Sequence, residues 1–218
     1  MINELLLKLL SAHDLPEQPP VDPMPLLMAW FKEAQESGKY EDPNAMCLAT
    51  ASPDGAPSVR MVLCKSIDPV RGTLTFFTNY QSRKGQELAA NPRASGVFHW
   101  THARRQARVE GTVERTSEAE SDEYFRTRSL LSRIGACVSR QSSPIESRAE
   151  LIAAAMSLAK SAAVGGDIPR PGNWGGFRLT IHTLELWSAQ DGRLHQRIQW
   201  RRQLDQGPGA WQPRFLSP

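Results

Sequence analysis

Asp54-Gly55 lies between two runs of strand-forming residues, 46–52 and 58–65, and such a pair between such runs specifies a tight hairpin. In the second run Val59, Met61 and Leu63 alternate with Arg60, Val62 and Cys64, so the two sets face opposite ways. The two-residue period returns at 73–78, 94–101 and 105–114, where Ala107, Val109, Gly111 and Val113 share a face. Three closing strands are expected at 176–187, 195–203 and 211–216. Helices fill the gaps. Leu26, Trp30 and Ala34 form the stripe of one that Asp22 can cap and Gly38 can stop. Ser82 can cap a helix to about Ala90, and Thr116 or Ser117 with Glu120 opens another through about Arg128. Helical segments at 130–139 and 147–164 complete the set. Many antiparallel strands with intervening helices make an α+β barrel or sandwich, not a doubly wound sheet.

Residues 2–11 can form a short amphipathic helix, and Pro16, Pro19, Pro20 and Pro23 make the next stretch an extended arm. Residues 1–22 are therefore expected to stand apart from a main domain at 23–218. The chain has 26 Lys and Arg against 23 Asp and Glu, a net +3. That excess does not by itself make a nucleic-acid binder, and Arg104, Arg105, Arg108, Arg201 and Arg202 lack interleaved aromatics. Cys47, Cys64 and Cys137 are odd in number and widely spaced, which argues against a disulfide framework or a metal site. The leucine-rich start lacks a basic leader region and an A-x-A site, and no stretch is long enough to span a membrane. A soluble cytoplasmic protein is expected. G-x-G-x-x-G, Walker A, H-E-x-x-H and G-x-S-x-G patterns are all absent.

Four clusters can carry chemistry. Ser82-Arg83-Lys84 follows a strand and opens a helix, where backbone donors and two cations converge on an anion. Arg60 and Lys65 are charges in an otherwise apolar strand, costly unless they face a partner or a cavity mouth. Tyr124, Arg128 and Ser132 are spaced four and four; on one helix they would present two hydroxyls and a guanidinium, a set suited to a phosphate monoester. Arg193, His195 and Arg197 alternate after the Asp191-Gly192 turn, so one strand face would collect three potential cations. Trp174 reads as packing.

Eight short stretches in one order then resemble the pyridoxine/pyridoxamine 5′-phosphate oxidase family over roughly residues 43–218. They are Arg60-Met-Val-Leu-Cys-Lys65, Phe76-Phe-Thr-Asn-Tyr-Gln-Ser-Arg-Lys84, Arg105-Gln106, Tyr124-Phe-Arg-Thr-Arg128, Ser139-Arg-Gln-Ser142, Trp174-Gly-Gly-Phe-Arg178, Glu185-Leu-Trp187 and Arg193-Leu-His-Gln-Arg197. The resemblance implies an FMN-binding split β-barrel, homodimeric, with FMN in the subunit interface. It assigns FMN contacts to Arg60, Met61, Val62, Leu63, Cys64, Lys65, Phe77, Thr78, Arg83, Lys84, Gln106, Gln141, Ser142, Trp187 and Arg197. It assigns the substrate to Lys65, Tyr124, Arg128, Ser132, Arg193 and His195, the last two beside the reacting carbon. The implied reaction oxidises pyridoxine or pyridoxamine 5′-phosphate to pyridoxal 5′-phosphate, with oxygen as acceptor and hydrogen peroxide as product.

Some stretches depart from the family pattern. The substrate-covering segment is not recognisable in residues 1–20, Ser129-Leu130-Leu131 replaces a Pro-Arg stretch, and Cys137 stands where a Trp is usual. Residues 19–24, 94–97 and 139–142 also resemble the phenazine-pathway branch, whose members oxidise reduced tricyclic precursors. That branch is the alternative reading. The retained set Lys65, Tyr124, Arg128 and Ser132 favours a phosphorylated pyridine substrate.

Overall fold

The computed structural model describes residues 14–164, 167–202 and 211–218. Eight strands run antiparallel in the order β3-β2-β1-β4-β5-β6-β7-β8. They are β1 Ala45–Ala51, β2 Pro57–Asp68, β3 Thr73–Asn79, β4 Arg93–Trp100, β5 Arg105–Arg115, β6 Trp174–Ser188, β7 Gln196–Arg202 and β8 Trp211–Phe215. Pairing of β3 with β6 closes the first six into a barrel, while β7 and β8 continue from β6 beyond the closure. The fold is the expected α+β split barrel. Its interior is apolar: Leu48, Phe76, Phe98, Val109, Leu179, Ile181 and Leu184 are fully buried.

Five helices lie among the described residues: α1 Met24–Glu36, α2 Arg83–Ala90, α3 Glu118–Thr127, α4 Leu130–Val138 and α5 Arg148–Ala163. On α1, Phe31 meets Phe98 edge-on at 5.6 Å between centroids and Trp30 meets Trp100 at 6.5 Å, so this helix caps the barrel. Asp22 does take a helix-start donor, the Met24 N–H at 2.9 Å, although Pro23 holds the cap position. The helix expected over residues 2–11 lies outside the described residues. The arm is tied down from residue 14 onward. Arg105 donates to Asp14 at 3.0 Å, Leu15 is buried, and Trp200 Nε1 donates to the Pro20 carbonyl at 2.8 Å.

A second apolar cluster, Phe125, Ile134, Ile168 and Trp174, joins α3 and α4 to the start of β6. Phe77 and Tyr124 pack on it. It forms the floor beneath the site.

Candidate functional site

α2 follows β3 through a tight turn. Ser82 caps it by accepting the Gly85 N–H at 3.4 Å, and it also donates to the Asn79 carbonyl at 2.7 Å. Lys84, two residues on, is thereby turned inward. Its Nζ donates to Thr78 Oγ1 at 2.9 Å, Gln141 Oε1 at 2.9 Å and Ser82 Oγ at 3.2 Å, all of them neutral acceptors. Burial, with nearby Arg60 adding repulsion, pulls its ammonium from 10.5 down to about 8. A buried cation with neutral partners is ready to receive an anion.

Tyr124, Arg128 and Ser132 do not share one helix, contrary to the spacing argument. α3 opens on the expected Ser117–Glu120 capping box but stops at Thr127. Arg128 turns extended, and Ser129 caps a new helix by accepting the Ser132 N–H at 3.3 Å. The break nonetheless brings all three to one cavity of about 610 Å³. Met61, Val62, Leu63 and Lys65 form one wall, and Phe77, Thr78, Lys84 and Gln141 another. Phe77 stacks on Tyr124 at 3.9 Å and lies near-parallel to Trp174 at 5.6 Å. Arg128 lies half-buried over the Trp174 ring at 4.6 Å, and its Nη1 is buried without a hydrogen-bond partner. Burial lowers the Arg128 guanidinium from its ordinary range.

The other expected residues fall elsewhere. Arg60 and Lys65 are not a buried pair. Alternation along β2 puts them on opposite faces, leaving Lys65 exposed at the cavity with Met61 and Leu63 while Arg60 bonds Glu87 at 3.3 Å. Cys64 points into the core, where burial pushes its thiol up to about 12. Arg83 is exposed and donates to Glu87 at 2.8 Å, and Ser142 is exposed with φ +73°.

Arg193, His195 and Arg197 do not lie along one strand either. Residues 191–193 form a 3₁₀ turn with Gly192 and Arg193 at positive φ, and β7 starts only at Gln196. Arg197 instead ends a row across three strands, in which Gln106 pairs with Trp187 and Trp187 with Arg197, while Arg193 stays exposed in the turn. The His195 ring lies 4.8 Å from that of Trp187, and its Nδ1 accepts the Gln190 N–H at 3.1 Å. Buried Glu185 supplies the counter-charge, accepting from Arg197 Nε at 2.9 Å and from Arg108 at 3.2 Å. Gln106, Trp187, Arg193, His195 and Arg197 do not line the large cavity; His195 and Arg197 line a separate one of about 300 Å³ beside Leu15 and Phe215. The expected site residues thus fall in two separate places on one chain.

Residues 31–160 match the family described as pyridoxamine 5′-phosphate oxidase. Residues 174–218 match the one described as pyridoxine 5′-phosphate oxidase C-terminal dimerisation region. The chain is 48% identical to the pyridoxine/pyridoxamine 5′-phosphate oxidase of Burkholderia lata over 197 residues, 90% of this chain and 89% of that one. It is 50% identical to that of Cupriavidus necator over the same shares. The chain belongs to the pyridoxine/pyridoxamine 5′-phosphate oxidase family. Among solved structures it resembles PhzG from Burkholderia lata 383 in complex with tetrahydrophenazine-1-carboxylic acid. That likeness has a TM-score of 0.84 and 32% identity, covering 95% of this chain and 100% of that one.

Of the arginines weighed for nucleic acid, Arg104 and Arg201 are exposed and the other three are held. Arg105 is held by Asp14 and Glu33, Arg108 by Glu110 and Glu185, and Arg202 is buried against backbone carbonyls. No helix among the described residues is long and apolar enough to cross a membrane. The sequence reading missed Trp174 as a cavity wall, and it missed Asn79, Ser139 and Glu87. For Glu87 a signal existed, since it stands four residues after Arg83 on the same short helix.

Proposed function

We propose that this chain is an FMN-dependent oxidase that converts pyridoxine or pyridoxamine 5′-phosphate to pyridoxal 5′-phosphate with oxygen as acceptor. The observation that carries the reading is the unpartnered, buried Nη1 of Arg128 in a cavity shared with Lys65, Tyr124 and Ser132. A buried guanidinium nitrogen without a partner is expensive, and a phosphate oxygen satisfies it. Lys84 fits a second anion, because its three partners are neutral. Two cation centres suit two monophosphates, one on FMN and one on the substrate. When bound, FMN supplies the two-electron redox chemistry.

The residues of the chain bind and orient. Lys84, Thr78 and Gln141 hold the FMN phosphate from within the cavity and Arg60 from outside its lining, and Met61, Val62, Leu63 and Lys65 border the same cavity. Lys65, Tyr124, Arg128 and Ser132 hold the substrate phosphate. The Gln106–Trp187–Arg197 row, with Arg193 and His195, completes the site from a second subunit, consistent with the dimerisation region matched at 174–218. With Nδ1 of His195 occupied as an acceptor, its ring proton sits on Nε2 when the ring is neutral, available to a polar substituent of the substrate.

The likeness to PhzG supports a second reading, oxidation of reduced tricyclic precursors. The gathering of Lys65, Tyr124, Arg128 and Ser132 at one cavity favours the first. Chromatography of the flavin released on denaturation, with peroxide formation from pyridoxine 5′-phosphate, tests the reading. Stoichiometric FMN and peroxide are expected; FAD, no flavin, or no peroxide would contradict it.

A further inference from the structure

Glu87 stands one turn along α2 from Lys84 with a side chain only 6% exposed, and both it and Arg60, the charged neighbour of Lys84, lie outside the cavity lining. Its Oε2 accepts from Ser58 Oγ at 2.6 Å and from Arg60 Nη2 at 3.3 Å, and also from Thr50 Oγ1. Its Oε1 accepts from Arg83 Nε at 2.8 Å. The same hydroxyls bind Arg60 directly: its Nη1 donates to Thr50 Oγ1 at 2.6 Å and its Nη2 to Ser58 Oγ. Thr50 and Ser58 face each other across the β1–β2 hairpin, so strand register itself builds this cage. Burial alone would raise the Glu87 carboxyl, yet hydrogen bonds from Ser58, Thr50 and Arg83 outweigh it and hold it at about 2. Glu87 is therefore an anion wherever the protein is folded near neutrality. Lys84, one turn away, has no carboxylate among its bonded partners.

We propose that Glu87 is a positioning residue of the phosphate cradle: from behind the cavity it fixes the Arg60 guanidinium beside Lys84, so that both cations address one phosphate. This rests on the FMN reading above. Without the carboxylate, Arg60 would repel Lys84 and swing away on its long side chain, and the cradle would have to be ordered anew by each ligand. The effect is confined to ligands that carry the phosphate.

The test is flavin titration of the full chain freed of bound flavin, with FMN and with riboflavin as its phosphate-free counterpart. Wild type is expected to bind FMN far more tightly than riboflavin. Glu87→Gln, which keeps shape and removes charge, is expected to weaken FMN by about tenfold or more while riboflavin stays within about twofold. Ser58→Ala, which removes one donor to Glu87 and one acceptor for Arg60, is expected to move FMN the same way by about threefold. If Glu87→Gln does not melt cooperatively, Ser58→Ala decides by the same two ligands. Unchanged or tighter FMN binding in the deciding variant, or equal loss of FMN and riboflavin, would overturn the positioning role. Wild type that binds the two flavins alike would instead overturn the phosphate cradle, and the inference with it.

Discussion

The Arg128 guanidinium lies over the face of Trp174, 4.6 Å from the ring centre, and leaves Nη1 buried without a partner. The ring replaces part of the hydration that burial removes, at a cost in free energy smaller than an unpaired cation would otherwise carry. Phe77 and Tyr124 continue the stack, so the cation sits at the end of an aromatic column instead of on a mobile surface.

Arg128→Ala is expected to lower kcat/KM for pyridoxine 5′-phosphate by about ten- to a hundredfold, carried mainly by KM. Flavin content should not change, since the lost contact belongs to the substrate. Trp174→Leu keeps the cation and removes its platform, and should shift KM in the same direction by a few-fold. Steady-state kinetics with flavin quantitation check both; intact vitamer turnover in Arg128→Ala would remove the phosphate clamp.

Lys84 gives a pH dependence. In the flavin-free protein it loses its proton near 8, well below its ordinary 10.5. A phosphate needs the protonated form, so FMN affinity should fall as pH rises above about 8, by at most tenfold per unit, while riboflavin affinity stays level. Stability of the flavin-free protein should move the other way. Between about 8 and 10.5 the unfolded chain binds the proton that the folded one has lost, so stability gains with rising pH in that window. Titration and thermal melts at pH 7, 8, 9 and 10 show whether the two trends oppose.

Gly85 lies where α2 meets the turn after β3, and a Cβ there would come within 2.2 Å of the Tyr80 carbonyl oxygen. Backbone blocks it, so the helix must move. Gly85→Ala is expected to cost about 1–3 kcal/mol and to weaken FMN binding, because Lys84 and Glu87 ride on the displaced helix. Chemical denaturation with and without FMN checks this; wild-type stability together with wild-type affinity would contradict it.

The proposed division of the site between two subunits makes complementation its test. Lys84→Ala disables the cavity half and Arg197→Ala the β5–β6–β7 row, and each variant alone should be inactive or nearly so. Mixed by co-refolding, their heterodimers contain one doubly damaged and one intact site, which should restore about a quarter of wild-type activity. No recovery, despite heterodimers seen by native mass spectrometry, would mean that one chain builds the whole site.

Most of the barrel was legible because its signals are local. Asp54-Gly55, the alternation of Ala107 with Val109, and Ser117 with Glu120 each report their own element and needed no distant partner. The misreadings arose where a local rule was carried across a break. Spacing by four treated Tyr124, Arg128 and Ser132 as one helix, yet Ser129 begins a second one. Alternation treated Arg193 and His195 as strand, yet Gly192 and Arg193 at positive φ make a turn. The union of Tyr124, Arg128 and Ser132 with Phe77 and Lys84 is set by barrel closure between β3 and β6, a contact 100 residues apart that no window of sequence displays. Buried carboxylates were the hardest to see. Glu87 and Glu185 each hold an arginine in place; Glu185 looks no different in sequence from an exposed glutamate, and Glu87 is marked only by Arg83 four residues before it.

The most direct measurement is peroxide release by the purified FMN-loaded enzyme with four substrates offered separately: pyridoxine 5′-phosphate, pyridoxamine 5′-phosphate, unphosphorylated pyridoxine and a reduced phenazine carboxylate. The phosphate clamp predicts turnover of the two phosphorylated vitamers, with kcat/KM at least about a hundredfold above that for pyridoxine, and little turnover of the phenazine. Equal turnover of pyridoxine with and without its phosphate, or oxidation of the reduced phenazine alone, would contradict it.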